Sequence, residues 1–303
     1  MTEAAPEKPE KEKAPQASRR LRRLMGKTIA DYDLISAGDH IMVAVSGGKD
    51  SYTLLDLLAA ARERAPIDFR LTAVHLDQVQ PGYDGSTLRA WLEDFSRRTG
   101  AGFEILREDT YSTVVAQTRE GKAYCAVCSR MRRGVLYTHA ERLGCNKIAL
   151  GHHRDDALET LLMNLFYTGR MQAMPASYTT DDGRFRVIRP LIECSEADII
   201  EHAAWAAYPI LPCNLCGSQD GLRREKMRGL IADMAEDNPH VRAVMLNALR
   251  NVHPSHLLDR RLLGLVADVE PAAEPAEAEP AADAGAPAGP KFPSGLVRLR
   301  LER

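Results

Sequence analysis

An α/β fold, in which helices cover both faces of a parallel sheet, is predicted for this chain of 303 residues by three observations. Short apolar segments alternate with amphipathic helical segments, a pattern typical of repeated strand–helix units. The hydrophobic content of 45% is ample for a packed core. Two polar motifs, SGGKDS and GHHRDD, begin where predicted strands end, which is the edge where such sheets bind ligands.

The predicted strand–helix units follow one another through the middle of the chain. Apolar runs predict five buried strands, and apolar residues at helical spacing predict four helices between them. The strands are HIMVAVS (40–46), FRLTAVHLD (69–77), GFEILRE (102–108), KIALGHH (147–153) and FRVIRPLI (185–192). The helices span about 50–64, 86–100, 129–144 and 155–169.

The two ends of the chain differ in composition from the middle. Residues 1–23 are rich in Glu, Lys, Pro and Ala, close with RRLRR, and are predicted to form a disordered basic tail. The arginines of RRLRR either cover a solvated helix face or contact an RNA backbone. Residues 267–303 are predicted to form a disordered tail rich in Ala, Pro and Glu. The catalytic domain is therefore expected at 24–266.

Charge and hydropathy exclude some classes of protein. The formal net charge of −2 gives no global attraction to nucleic acid, so any RNA site must be a local basic patch. No run of about 18 apolar residues is present, so no membrane partner is expected. The first residues lack the apolar core of a secretory signal, which predicts a cytoplasmic location. There the cysteines are not expected to form disulfides, and Cys145 and Cys194 are interpreted as buried thiols.

The loop Ser46–Ser51 has the features of a phosphate-binding loop. Two glycines let backbone N–H groups approach an anion, the following helix N-terminus adds a positive dipole, and Lys49 adds a charge. The loop is not a Walker A motif, because Val43 stands where that motif has glycine and Asp50 follows the lysine. Asp50 would repel a phosphate unless Mg²⁺ lies between them. The alternative is a Gly-Gly turn with a capped helix.

Two C-x-x-C pairs, Cys125/Cys128 and Cys213/Cys216, have the spacing with which two thiolates hold one metal ion or cluster iron. From the residues alone, a four-cysteine zinc site and an iron–sulfur cluster both remain open. Nothing in the spacing separates Cys213 from Cys216 as a ligand.

The SGGKDS loop is the signature of the PP-loop ATP pyrophosphatases, which cut ATP between its α and β phosphates. The stretches VAVSGGKDSYTLLDLL, CAVCSRMRRG, GHHRDDALETLLMN and PCNLCGSQ, in this order, closely resemble the tRNA 2-thiocytidine synthetase family within that class. The resemblance covers about residues 24–258. It implies a Rossmann-like PP-loop fold of the adenine nucleotide alpha hydrolase type.

The resemblance also implies cofactors, partners and site residues. The family holds a [4Fe-4S] cluster on three cysteines, which here would be Cys125, Cys128 and Cys216, and leaves one iron open for sulfur. A tRNA is the substrate, a cysteine desulfurase or another donor supplies the sulfur, and a homodimer is expected. ATP would bind at Ser46, Gly47, Gly48, Lys49, Asp50, Ser51 and Gly151. Lys49, Asp50 and Asp156 would be catalytic, with Mg²⁺ held by Asp50 and Asp156.

The reaction that follows is ATP-dependent thiolation of cytidine 32 in the anticodon loop. The C2 oxygen of the base attacks the α phosphate, pyrophosphate leaves, and sulfur then displaces AMP from the adenylated base. Arginines next to the two C-x-x-C pairs are expected either to bind RNA phosphates or to be ordinary solvated helix charges. They are Arg130, Arg132, Arg133, Arg223 and Arg224.

Alternatives to each of these interpretations come from the same residues. Asp155 and Asp156 also suit a helix start, with Asp155 as the N-cap. A 2-thiouridine synthetase of the same superfamily is disfavoured, because no cysteine precedes Cys125. A PP-loop amide-forming ligase with a structural zinc site would need an ammonia source, and no amidotransferase domain is evident. A non-catalytic zinc- or RNA-binding module would leave the intact SGGKDS loop unexplained.

Overall fold

The computed structural model describes residues 14–117, 125–211 and 223–264. Cys213, Cys216 and the predicted tail at 267–303 lie outside these ranges. The side chain of Cys125 is likewise outside the description, although its backbone is inside.

A six-stranded sheet forms the centre of the molecule, in the order β3-β2-β1-β4-β6-β5. Five strands are parallel, and β5 pairs antiparallel with β6 at one edge. The strands are β1 His40–Ala44, β2 Arg70–Asp77, β3 Gly102–Arg107, β4 Lys147–Ala149, β5 Ser177–Thr179 and β6 Arg186–Ile188. The strand order reverses between β1 and β4, so the crevice beyond their carboxyl ends is the expected ligand site.

Nine helices are present in the described part of the chain. They are α1 Gln16–Asp31, α2 Lys49–Arg62, α3 Ser86–Thr99, α4 Thr110–Gln117, α5 Cys125–Arg142, α6 Arg154–Met163, α7 Glu196–Trp205, α8 Arg223–Asp237 and α9 Val241–Arg250. A π-helical turn, Asn164–Thr168, continues α6, and a 3₁₀ turn covers Pro254–His256. Within these ranges no helix is long and apolar enough to cross a membrane.

Helices cover both faces of the sheet because side chains of each strand alternate between them. Ile41 and Val43 of β1 pack into a core with α1, α2, α3 and α7, whereas Met42 packs with α5 on the opposite face. A third cluster joins α6 to α8 and α9. The predicted α/β class, its five strands and its four helices are confirmed, while β5 and helices α1, α4, α7, α8 and α9 had not been predicted.

The structure corrects the predicted boundary of the N-terminal tail. Helix α1 begins at Gln16, and Ala17, Leu21 and Met25 are fully buried on one face of it, one turn apart. The prediction of disorder is therefore wrong from residue 16 to residue 23. The physical reason is that this apolar stripe packs on α7 and the core, whereas the arginines of RRLRR are exposed or only partly buried. One of them, Arg20, binds the carboxylate of Asp198 on α7.

Candidate nucleotide and cysteine site

The loop Ser46–Ser51 joins β1 to α2 at the centre of the sheet edge. Its turn requires Gly47, whose φ of +87° lies in the left-handed region. Inside the loop, Ser51 Oγ donates to the Gly48 carbonyl at 2.9 Å and accepts from the Ser46 N–H at 3.2 Å. Leu211 covers Gly47 and donates its own N–H to the Gly47 carbonyl at 2.9 Å. Hydrogen bonds within the loop and from Leu211, which is far away in the sequence, therefore hold this turn in place.

Helix α2 begins directly after this loop and is open at its N-terminus. Its N-cap residue is Gly48, and within the described part of the chain no side chain caps it with a hydrogen bond. The first N–H groups of a helix have no partner inside the helix and carry its positive dipole end. This arrangement can bind an anion, as the sequence predicts.

Lys49 is held beside the loop by two carboxylates. Its Nζ lies 2.9 Å from Glu196 Oε1 and 3.2 Å from Asp50 Oδ1. Burial lowers the pKa of Lys49, but the neighbouring charges of Asp50 and Glu196 outweigh it and raise the pKa above its ordinary value. Lys49 is therefore a permanent cation at the mouth of the loop. Its second partner, Glu196, begins α7 and had not been predicted.

Gly151 lies against the start of α2 and has no room for a side chain. A Cβ atom there would be 3.0 Å from the backbone carbon and oxygen of Asp50 and 3.1 Å from the nitrogen of Ser51. The absence of a side chain lets the end of β4 approach the phosphate loop. The structure thus brings Gly151 to the predicted ATP site, where it permits backbone contact.

The GHHRDD motif forms the first turn of α6, and His153 rather than Asp155 is its N-cap. The His153 Nδ1 atom accepts from the Asp156 N–H at 3.4 Å, and Asp156 Oδ2 accepts from the His153 N–H at 3.0 Å. These reciprocal bonds form a capping box. Asp155 instead accepts from the N–H of Glu196 at 2.9 Å and binds Arg242 at 3.0 Å. The expectation that Asp155 is the N-cap is wrong, because the chain turns two residues earlier.

Buried His153 connects the carboxylates of α2 and α6. Its Nε2 atom lies 3.5 Å from Asp156 Oδ2, 3.7 Å from Asp50 Oδ1 and 4.0 Å from Glu196 Oε1. Burial raises the pKa of Asp50, and the neighbouring side chains of Lys49 and His153 offset only part of this. Burial by itself would raise the pKa of Asp156 as well. The neighbouring His153 and Arg224 outweigh burial and hold this pKa below its usual value. The two predicted magnesium ligands therefore lie on either side of His153, and their pKa values are shifted in opposite directions.

Magnesium chemistry fits this pair of carboxylates. In the described ranges, Asp50 Oδ1 is buried without a hydrogen-bond partner, although Lys49 lies within ion-pair distance. The same ranges contain no group of three His, Cys, Asp or Glu side chains that could hold a metal ion. Mg²⁺ usually takes only one or two carboxylates and completes its shell with phosphate and water. A nucleotide would therefore have to bring part of the coordination.

Helix α8 is fixed to α6 by ion pairs that the sequence had not indicated. Glu159, which is almost completely buried, binds Arg228 at 2.8 Å and Arg224 at 3.0 Å. Arg224 also lies 3.6 Å from Asp156 Oδ1. The only available signal was the charge pattern RREKMR at the start of α8, which names no partner.

Of the three cysteines whose side chains the structure describes, Cys128 belongs to a predicted cluster-binding pair. It lies on the first turn of α5, and its Sγ is 3.3 Å from Gln78 Oε1, just beyond the end of β2. Cys125 begins the same helix, and positions three apart share one helix face. Cys145 and Cys194 are buried, as predicted, and burial raises the pKa of their thiols to about 11 and about 12.

The five predicted RNA-binding arginines have different surroundings. Arg130 is exposed on α5. Burial lowers the pKa of His75, and the charge of Arg132 adds to this effect. The guanidinium of Arg223 lies 4.6 Å from the ring centroid of Tyr167. Arg224 binds carboxylates of α6, as described above. Arg133 lies half-buried on α5.

A cavity of about 390 Å³ opens beside the end of β2. His75 lines it and donates from Nδ1 to the carbonyl of Val45, directly before the phosphate loop, at 2.7 Å. Its Nε2 accepts from the hydroxyl of Tyr83 at 2.5 Å. Burial lowers the pKa of His75, so this neutral tautomer is favoured. The sequence predicts a strand at His75 but does not indicate its hydrogen bonds to Val45 and Tyr83.

Comparison with known proteins agrees with this geometry. Residues 14–210 match the family model described as a PP-loop domain, and the chain belongs to that class. It is 51% identical to the tRNA-cytidine(32) 2-sulfurtransferase of Anaeromyxobacter dehalogenans, over 93% of this chain and 95% of the relative. It is 48% identical to the protein of that name from Sorangium cellulosum, over 94% and 99%. The chain therefore belongs to the tRNA-cytidine(32) 2-sulfurtransferase family, and the prediction from the motifs is confirmed.

A solved structure shares the fold. It is the U34-tRNA thiolase NcsA from Methanococcus maripaludis with its [4Fe-4S] cluster, and the TM-score is 0.58 at 18% identity. The match covers 84% of this chain and 80% of that one. At this identity the likeness extends to the architecture alone.

Proposed function

We propose that this protein is an ATP-dependent tRNA sulfurtransferase that converts cytidine 32 of the anticodon loop to 2-thiocytidine. The relatives that cover nearly the whole chain carry the name of this activity. The structure supports it because the segment that carries Cys213 and Cys216 is attached at both ends to the candidate ATP site.

The observation that carries the proposal is where segment 212–222, which contains Cys213 and Cys216, leaves and rejoins the described chain. Leu211, directly before the segment, is hydrogen-bonded to Gly47 of the phosphate loop. Arg224, the second residue after the segment, binds Asp156 and Glu159 of α6. Both ends are thus anchored to the two halves of the proposed ATP site. A cysteine site and a nucleotide site joined in this way suit one reaction that needs both.

ATP would lie with its phosphates on the loop Ser46–Ser51 and the open N-terminus of α2. Lys49 would exchange its carboxylate partners for the departing pyrophosphate and stabilise its negative charge. Asp50 and Asp156 would hold Mg²⁺ against the phosphates, since Asp50 already presents a buried oxygen without a hydrogen-bond partner in the described chain.

The reaction would then proceed in two displacements. The C2 oxygen of the target cytidine attacks the α phosphorus, and the bond to pyrophosphate breaks. A sulfur nucleophile next attacks C2, and AMP departs with the former base oxygen. The target base must leave its stack to reach the phosphate. The role of the protein is to orient ATP and base and to stabilise the charge on the leaving groups.

Cys125, Cys128 and Cys216 would hold a [4Fe-4S] cluster, with Cys213 outside the ligand set. The donor set fits, because thiolates are the ligands of such clusters and Cys125 and Cys128 lie three positions apart on α5. When bound, the cluster would supply an iron at which the incoming sulfur is held. A cysteine desulfurase or another donor would provide that sulfur. The expected homodimer and the cytoplasmic location stay predictions.

The decisive experiment is nucleoside analysis of tRNA incubated with the anaerobically reconstituted protein, ATP, Mg²⁺ and sulfide. We expect 2-thiocytidine, accompanied by release of pyrophosphate and AMP. Appearance of 2-thiouridine would favour the other branch of the superfamily. If neither thiolated nucleoside forms, the proposal is wrong.

Six cysteine variants test the ligand set separately, with iron and acid-labile sulfide as the readout. Alanine at position 125, 128 or 216 should remove the cluster and 2-thiocytidine formation. Cys213→Ala and the buried controls Cys145→Ala and Cys194→Ala should keep both. Equal need for Cys213 and Cys216 would instead indicate a closed four-cysteine site, and zinc in the purified protein would favour the structural alternative.

A further inference from the structure

Exposed apolar and aromatic side chains stand together where helix α6 ends. Phe166 is 55% exposed and Met171 is 72% exposed, values unusual for such large apolar residues in a folded protein. Contiguous apolar side chains on a surface mark an interaction site, whereas single ones need no explanation. We call the surface formed by Leu165, Phe166, Tyr167, Arg170, Met171 and Arg223 the α6-end surface.

The backbone below this surface is fixed by Asn164. Its carbonyl accepts hydrogen bonds from Thr168 Oγ1, the Gly169 N–H and the Arg170 N–H. Its buried side-chain amide donates to the Gln172 carbonyl at 2.8 Å. These bonds wind the chain into a π-helical turn, a geometry that often occurs at functional sites. The aromatic rings are therefore presented from a fixed turn, which lowers the entropy cost of binding to them.

The charge of the α6-end surface suits a polyanion. Residues 161–180 contain no Asp or Glu, and Arg170 is exposed in their middle. On the other side, the guanidinium of Arg223 lies 4.6 Å from the Tyr167 ring centroid, within cation–π range. Exposed rings beside guanidinium groups are the features with which proteins bind unpaired RNA bases and their phosphates.

The position of the surface suits a nucleic acid that also reaches the ATP site. Helix α6 starts beside Asp50 and the phosphate loop, and its ten residues span about 15 Å before the π-helical turn. A loop whose target base is flipped toward ATP has neighbouring unpaired bases that can extend over this distance. The α6-end surface lies at the far end of that helix, within reach of such bases.

We propose that the α6-end surface is a stacking platform for unpaired bases of the tRNA anticodon loop. Phe166 and Tyr167 stack on bases, and Arg170 contacts a phosphate. The inference rests on the proposed function, because it takes tRNA as the substrate. It goes further by assigning bases other than the reacting one to named residues outside the nucleotide site.

The test is tRNA binding by the Phe166→Ala holoprotein, measured by fluorescence anisotropy at fixed salt. We expect affinity to fall roughly tenfold or more, the usual effect of losing one base–aromatic stack. Pyrophosphate binding and melting temperature should stay at wild-type values. Ile200→Ala is the matched control, because Ile200 is 51% exposed on α7 and belongs to neither site.

A second variant, Arg170→Ala, tests the phosphate contact through salt dependence. The slope of log Kd against log salt concentration should fall by about 1, as expected for one lost phosphate contact. An unchanged slope together with unchanged Phe166→Ala affinity would overturn the inference. So would a lower molecular mass of Phe166→Ala by light scattering, because the surface would then hold a second copy of the chain. If wild-type protein binds no tRNA, the proposed function fails as well, whereas normal wild-type binding with unaffected variants removes this inference alone.

Discussion

Two helices begin at the candidate nucleotide site, and their first turns are built differently. Helix α2 follows a glycine and has no side-chain cap in the described part of the chain. Helix α6 begins with a complete capping box between His153 and Asp156. The first N–H groups of α2 are thus available to a ligand, while those of α6 are used by the protein itself.

The same contrast appears in the two acidic residues of these turns. The pKa of Asp50 on α2 is raised, chiefly because burial disfavours its charge. Burial acts on Asp156 as well, but His153 and Arg224 hold its pKa below the usual value. The charged form of Asp50 is therefore unfavourable in the fold, whereas that of Asp156 is favourable, although both carboxylates are expected to hold Mg²⁺. Such costs are typical of functional sites.

Lys49→Ala should have the largest effect, because it removes the cation at the open helix start. Pyrophosphate affinity should fall by about 10- to 100-fold, the range for one charge-assisted contact. Thiolation of tRNA should fall by at least about 100-fold, since the charge on pyrophosphate grows in the transition state. Calorimetry and nucleoside analysis measure the two quantities. The iron content should not change, and full activity would contradict the role of α2 as the anion site.

Asp50→Asn and Asp156→Asn should both reduce activity, by roughly 10- to 100-fold, if both residues hold Mg²⁺. Higher Mg²⁺ should restore part of it. An aspartate that only caps a helix tolerates asparagine, because both cap about equally well. Wild-type Mg²⁺ dependence in both variants would therefore leave capping as their only role.

The same two variants should differ in stability, and thermal melting at pH 7.5 measures this. A carboxyl with a raised folded-state pKa contributes stability below its unfolded pKa and loses it as pH rises, so Asp50→Asn should melt at an equal or higher temperature. A carboxyl with a lowered pKa contributes stability above its unfolded pKa and loses it as pH falls, so Asp156→Asn should melt at a lower temperature at pH 7.5. Equal destabilisation of both would show that the two turns do not differ as described.

Gly151→Ala should disturb both helix starts at once. Its new Cβ would lie 3.0 Å from the Asp50 backbone, which cannot move aside like a flexible side chain. We expect about 1–3 kcal/mol lower stability and roughly tenfold weaker pyrophosphate binding. Gly229→Ala on α8 is the control, because nothing lies within 4 Å of its added Cβ. Unchanged pyrophosphate affinity in Gly151→Ala would mean that the β4 end does not position the loop.

The elements that the sequence predicted are those with a local signal. The strands are apolar runs, and the SGGKDS loop and its helix are defined by neighbouring residues. Helix α1 was missed because its arginines and lysine-rich flank outweighed the apolar stripe of Ala17, Leu21 and Met25. Strand β5 was missed because three residues, Ser177–Thr179, carry no periodicity.

Parts of the candidate site that depend on distant contacts could not be predicted. His153 is not a usual N-cap residue, so the start of α6 was expected two residues later. The contact between Glu159 and Arg228 joins residues 69 positions apart, and neither sequence segment indicates the other. Glu196 reaches Lys49 only because α7 returns to the sheet edge. Sequence patterns thus predicted the candidate site residues, whereas their contact partners depend on tertiary packing.

Glu196→Gln should have the smallest effect, and it should increase affinity. Glu196 lies 2.9 Å from Lys49 and competes with an incoming anion for it. Partly exposed ion pairs contribute about 0.2–1 kcal/mol, so pyrophosphate should bind about two- to fivefold more tightly without Mg²⁺. Asp198→Asn is the control, because Asp198 stands on the same turn of α7 but binds Arg20.

The direction of this change decides what Glu196 does. Tighter binding would mean that Glu196 pairs with Lys49 until the anion replaces it. The N–H groups at the start of α2 would then be free for the anion, while Lys49 would first have to leave Glu196. Weaker binding in Mg²⁺-free buffer would mean that Glu196 positions Lys49 for the anion, as a fixed partner does in a capping box. In that case the start of α2 would resemble the start of α6, with both turns organised by the protein before the ligand binds.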